Sequence, residues 1–367
     1  MTVRYYGGVL LLLLFLGCGT AGNPAPPSAE NMIRDTLHVE QEVGELMGDS
    51  LYVFGEVTRV VPVSEGFAVL DVYSCRISFY DRNGQYLRHI GGRGEGPGEF
   101  LLPLDFAVLD HGRIAVVDLV GRRIDILSQS GELVRSLPTG GQMLPFSMGC
   151  IADSTFFVYY YSSRLSSEEI NLGYQIELWN PQGLIGEVWS FRGDYCGDDF
   201  RFSPGYAECC PGNGGVLYTL MEDSDLNVFL ACMDQTDSVL VSVPGTNIAA
   251  DTSDTGYDEK HAWVSFTIGD TRVDLASEPL EDRPQASALG VDTENRLWVR
   301  NGTVDDEEWF IFSPQGEHTG YGVIQGLPAG QRYRYSINHW GAAAWSPYTE
   351  DCPVFYILSS DTVQDGP

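Results

Sequence analysis

Metal binding, proton transfer and nucleophilic attack draw on a short list of side chains, and in this sequence those side chains are scattered. The histidines are His38, His89, His111, His261, His318 and His339, and no two stand in an HxH or HExxH relation. No GxSxG frame occurs, and Cys209 and Cys210 have no neighbouring base in sequence. The segment DSDLN at 223–227 begins like a calcium loop, but Val228 stands where the glycine belongs. DDEEW at 305–309 reads as the solvated tip of a hairpin, because adjacent carboxylates repel one another unless hydrated or bound to a cation. Aromatic residues make up 12% of the chain, and Tyr159, Tyr161, Trp340 and Trp345 are candidates for a rim that binds sugar or peptide.

Two acid and base pairs recur at a fixed distance. Asp71 and Arg76 match Asp118 and Arg123, and Ile77, Gly84 and Arg88 match Ile124, Gly131 and Arg135, all 47 positions apart. A period of this length, made of short alternating runs such as FAVLD, RISFY and YLRHI with glycine turns between them, is the pattern of β-propeller blades. Each Asp and Arg pair then lies across a hairpin, where an ion pair that sets register is the simplest expectation. The third strand returns in QIELWNPQG, TDSVLVSVPG and WFIFSPQG, which gives six blades over about 50–90, 91–137, 138–190, 191–283, 284–325 and 326–360. The fourth interval is long enough to hold an insertion or a further blade. Residues 36–46, TLHVEQEVGEL, alternate like a strand and are expected to close the ring as the outer strand of the last blade.

The run GGRGEGPGEFLLP at 91–103 opens each question of this kind in miniature. Neither the lysine nor the helical period of a phosphate loop follows it, so its glycines serve a tight crossover between blades, with Phe100, Leu101 and Leu102 plugging the gap. Together with IAVVDLVGRRIDIL, it resembles an NHL-type repeat of the six-bladed β-propeller superfamily over residues 50–137. That resemblance implies an all-β, six-bladed propeller with four-stranded antiparallel blades. It also implies two alternatives for function. One is a binding or scaffolding module for a protein, peptide or glycan; the other is a metal-dependent enzyme of the lyase or lactonase kind, with ligands converging on the propeller axis.

The chain's start carries a different signal. Arg4 precedes GGVLLLLLFLG, about ten apolar residues, which is short of the roughly 20 needed to span a bilayer and has the form of a secretory signal. FLGC resembles a bacterial lipobox, which implies a signal peptide over 1–17, lipid attachment at Cys18 and a tether over 18–34, GTAGNPAPPSAE being rich in small residues and proline. Gly19 after the cysteine points to an outer-membrane anchor in the bacterial cell envelope. The propeller is expected over 35–360 and an acidic tail over 361–367. With 51 acidic and 21 basic residues the net charge is −30, which excludes nucleic acid and anionic lipid surfaces as partners. Eight cysteines in an exported chain leave room for a disulfide, with Cys196, Cys209 and Cys210 around a glycine- and proline-rich stretch as the candidates. No cofactor is expected under the binding reading; calcium or another divalent metal is expected under the enzyme reading.

Overall fold

A computed structural model describes residues 33–139, 144–152, 154–165, 170–195, 209–211, 217–222, 228–233, 263–268, 271–276, 289–301, 308–314, 318–331, 333–346 and 353–360. The chain is an all-β, six-bladed propeller. Blade 1 consists of β2 (Val57–Val63), β3 (Gly66–Asp71), β4 (Arg76–Tyr80) and β5 (Tyr86–Gly91), paired antiparallel in chain order. Blade 2 repeats this with β6 (Pro103–Val108), β7 (Ile114–Asp118), β8 (Arg123–Leu127) and β9 (Leu133–Pro138). Blade 3 has longer strands, β10 (Leu144–Ala152), β11 (Thr155–Leu165), β12 (Ile170–Asn180) and β13 (Gly183–Tyr195).

The long fourth interval holds a three-stranded sheet, β14 (Cys209–Pro211), β15 (Leu217–Glu222) and β16 (Val228–Met233), and a separate hairpin, β17 (Trp263–Ile268) with β18 (Thr271–Ala276). Blade 5 comprises β19 (Leu289–Val291), β20 (Leu297–Asn301), β21 (Glu308–Phe312) and β22 (His318–Gln325). Blade 6 comprises β23 (Arg334–Asn338), β24 (Gly341–Trp345) and β25 (Phe355–Ser360), completed by β1 (Ile33–Val43) from the other end of the domain. The innermost strands β2, β6, β10, β14, β19 and β23 neighbour one another in that order, and β23 returns to β2, so six strands ring the axis.

The closure strand does more than expected. β1 pairs antiparallel with β25 and also parallel with β22, the outer strand of blade 5, and so fuses blades 5 and 6 into one eight-stranded sheet. Ile33 and Arg34 pair with Gly320 and Tyr321, so β1 takes in the last two residues of the 18–34 segment. The signal segment, Cys18 and the acidic tail lie outside the described residues.

Burial explains the sequence pattern. The second strand of a blade is covered on both faces by neighbouring blades, so β3 and β7 are buried at every position and read as continuous apolar runs. The outer strand β5 alternates half-buried and exposed residues. Between blades 1 and 2 lies a core of Leu70, Ile77, Ile90, Phe106 and Val116, with Phe100 fully buried among them. Its delivery depends on Gly91. At φ +83°, a Cβ there would lie 2.6 Å from the Phe100 ring, so only glycine admits the crossover and its plug together.

Candidate functional site

Antiparallel alternation gives the ring two unlike faces. The turns joining second to third strands lie on the same face as the crossovers between blades; the remaining hairpin turns lie on the opposite face. On the crossover face Asp71 organises blade 1. Its carboxylate accepts backbone N–H bonds from Gly55 (3.2 Å) and Glu56 (3.0 Å) in the incoming crossover and from Tyr73 (3.1 Å) in the turn, and a hydroxyl bond from Ser74 (2.8 Å). Asp118 does the same in blade 2, accepting from Leu101 (3.1 Å), Leu102 (2.9 Å) and Gly121 (3.2 Å). A short polar side chain with several backbone donors around it satisfies groups that a buried turn would otherwise leave unpaired.

The expected ion pairs are therefore secondary. Asp71 and Arg76 are register partners, but Arg76 donates to the Ser50 carbonyl at 3.0 Å instead of to Asp71. Arg123 stays within 3.6 Å of Asp118, while its Nε pairs with Asp125 at 2.8 Å. Backbone donors surround each aspartate first because the turn folds over it.

The turn tips are a repeated device. Cys75 and Arg122 occupy the left-handed region at φ 55° and 52° and close equivalent turns onto Val72 and Leu119. One residue before Ser74 and Gly121, this throws Tyr73 and Val120 outward, 72% and 57% exposed. Arg93 of the next crossover donates to the Tyr73 carbonyl at 2.8 Å and holds that tip in place. The crossover 44–56 adds exposed Leu46 and Met47.

At the axis the first three innermost strands share an irregularity. A β-bulge interrupts the pairing at Thr58, at Leu104 and at residue 146. The next residues, Arg59, Asp105 and Ser147, then stand opposite Leu70, Val117 and Tyr159. The buried Asp105 carboxylate accepts the N–H of Phe106 and of Met148, both at 2.8 Å, and approaches Arg59 Nε at 3.5 Å. A single carboxylate thus stitches three innermost strands.

A second concavity lies between blades 2 and 3, a crevice of about 480 Å³ bordered by Arg135, Leu137, Tyr160, Glu177, Trp179 and Leu184. Glu177 is buried and accepts from Gln175 (2.7 Å) and Trp179 (3.0 Å). Burial, with Glu177 alongside, pushes the Tyr160 hydroxyl well above the ordinary phenol range.

The residues singled out in the sequence scatter. Tyr159 and Trp345, expected at a rim, are 1% exposed. Both sit on second strands, where every position meets a neighbouring blade, so they belong to the core. Trp340 is 42% exposed and lies tilted against the His339 ring with centroids 4.6 Å apart, but in the β23–β24 turn, away from the crossover face. Tyr161 falls on β11 with its side chain outside the described residues. Cys209 and Cys210 lie on β14, opposite Thr219 and Tyr218, and Cys196 lies outside the described residues. DSDLN also lies outside them, while Trp309 of DDEEW is a fully buried β21 residue where a solvated tip had been expected. His89 is on an outer strand, His111 in a turn and His38 on β1; no described histidine lies within an innermost strand. Among the described residues no three His, Cys, Asp or Glu side chains gather closely enough to hold a metal. No helix among them is long and apolar enough to cross a membrane. Arg59 and Asp105 escaped the sequence reading.

A family model described as a 6-bladed beta-propeller matches residues 46–175. Among solved structures, a calcium-binding protein, regucalcin, from Agrobacterium tumefaciens is 8% identical with TM-score 0.47, over 88% of this chain and 94% of that one. A member of a family of unknown function from Bacteroides vulgatus is 10% identical with TM-score 0.45, over 90% and 99%. Virginiamycin B lyase from Staphylococcus aureus is 8% identical with TM-score 0.42, over 90% and 89%. No curated protein matches the chain by sequence.

Proposed function

We propose that this chain is a lipid-anchored β-propeller of the bacterial cell envelope, held through Cys18, that binds or scaffolds a protein, peptide or glycan partner on its crossover face. The observation that carries this reading is the pair Tyr73 and Val120, exposed at equivalent tips above turns that Asp71 and Asp118 fix to the frame. Exposed apolar side chains on rigid loops bind with little ordering cost, which is how recognition sites on such scaffolds gain affinity. The chain also enters β1 at the opposite face, since β1 runs antiparallel to β25 and leads into the crossover 44–56.

The test is photo-crosslinking in native membranes from position 73 or 120, with position 82 on the opposite face as the control. The reading expects a reproducible adduct from 73 and 120 that 82 does not give. Equal labelling from all three positions, or none, would overturn it. The metal-dependent alternative requires ligands on the axis and is tested by unfolding the chain before and after chelation; a fall in midpoint restored by one metal would favour it.

A further inference from the structure

Buried polar atoms in folded proteins nearly always have partners, and an orphan calls for an explanation in terms of a water, an ion or a ligand. Two orphans are adjacent on β2. Thr58 Oγ1, on the bulged residue, and Arg59 Nε are both buried and have no hydrogen-bond partner. The Arg59 side chain is 22% exposed, and none of its guanidinium nitrogens donates to a described residue. Among the described residues its ion-pair partner is Asp105, at 3.5 Å, which is already engaged by two backbone N–H groups.

Arg59 is the third residue of an innermost strand, so its guanidinium sits toward the crossover end of the axis. β-Bulges are a common means of re-aiming a side chain next to a binding site, and here one precedes Arg59 and Asp105 in adjacent blades and the polar Ser147 in the third. A planar guanidinium with open donors is built to take a planar anion through two parallel bonds. Asp105 decides which anion. With a carboxylate beside the arginine the local charge is close to balanced, so the net attraction for an anion is small, while the cost of desolvating the anion grows with the square of its charge; a monoanion is therefore favoured over a dianion. The chain's net charge of −30 acts in the same direction.

We propose that Arg59, with Thr58 beside it, is a seat for a single carboxylate group at the crossover mouth of the axis, such as a peptide C-terminus or an acidic sugar presents. The proposal rests on the binding reading above and names the group that the partner offers. It assigns Asp105 the role of positioning Arg59 and of discriminating against dianions.

The test uses the full chain in detergent, with N-acetylalanine as the carboxylate probe, its amide as the uncharged control and inorganic phosphate as the dianion. Saturating N-acetylalanine is expected to raise the unfolding midpoint by roughly 2–4 °C, with no response to the amide and less to phosphate. Arg59→Gln is expected to weaken the response at least about tenfold. Asp105→Asn, which keeps an acceptor for Met148, is expected to strengthen it about threefold and remains informative if the arginine variant fails to fold. The seat is refuted by an equal response to acid and amide, by a stronger response to phosphate, by an unaltered response in Arg59→Gln, or by no response to any probe. A chain that crosslinks a partner from positions 73 and 120 yet ignores N-acetylalanine loses only the seat. One that binds the probe and crosslinks nothing loses only the macromolecular partner.

Discussion

Single aspartates hold the crossover face together, and their replacement separates hydrogen bonding from charge. Asn at position 118 keeps one acceptor oxygen but cannot serve Leu101, Leu102 and Gly121 at once, so Asp118→Asn is expected to cost about 1–3 kcal/mol in urea unfolding. Arg123→Gln removes a partner whose charge is already shared with Asp125 and is expected to cost less than Asp118→Asn. The reverse order would restore the ion pair as the main term. The repeat at 47 positions made both aspartates visible in the sequence, but not their partners, because backbone N–H groups leave no trace in a sequence. Cys75 lies directly beneath one of these turns, its thiol fully buried and donating to the Val72 carbonyl at 3.4 Å. Burial raises its pKa above the ordinary thiol value, Arg93 opposes, and Asp118 and Asp71 add to the rise. The folded state therefore holds its proton to higher pH than the unfolded state does, so stability falls as pH climbs through the unfolded thiol range. Peptide-level mass spectrometry after iodoacetamide treatment at about pH 8 should find Cys75 unmodified until the chain is denatured.

Among the elements β1 has the largest consequence, since it is the only described strand that serves two blades. His38 faces Gln325 on β22 and Ser359 on β25, so its backbone lies between two ladders. Proline there removes the one N–H that His38 gives to a neighbouring strand and sets its ring against that strand, and His38→Pro is expected to destabilise by about 3 kcal/mol or more beyond His38→Ala. A difference of only a few tenths in chemical denaturation would mean that β1 is not needed for closure. Alternation in TLHVEQEVGEL was enough to identify an outer strand, because a period of two shows in the residues themselves. The parallel pairing with β22 was not legible, since a strand's pattern does not state its neighbours. The bulged innermost strands were hidden for a different reason. The turn between first and second strands holds Ser64 and Glu65 in blade 1 but Asp110, His111 and Gly112 in blade 2. One added residue shifts the inner strand out of the 47-residue frame, so Arg59 aligns with Asp105 at a spacing of 46 and a fixed-period comparison passes over both.

At the scale of the whole molecule the cores lie between adjacent blades, so the ring is a chain of neighbour contacts and its stability depends on every interface at once. Superimposed on that is a charge of −30, which repels itself at every distance the solvent leaves unscreened. Ion pairs among the described residues, such as Arg296 with Asp35 at 2.6 Å and Arg88 with Glu65 at 2.7 Å, act locally and do not offset that excess. Screening length falls from about 30 Å at 0.01 M to about 8 Å at 0.15 M, which removes repulsion across the ring while sparing half-buried pairs. The thermal midpoint is therefore expected to rise over that range of sodium chloride. A fall would show that surface ion pairs, not self-repulsion, dominate. The same titration run with calcium chloride at matched ionic strength addresses the one cofactor class the resemblance implies. General screening depends on ionic strength and moves the midpoint equally with either salt, whereas a resident calcium site adds a rise that saturates at low concentration and is reversed by chelator. Coincident curves are the outcome expected of a propeller that works by binding a partner through its loops.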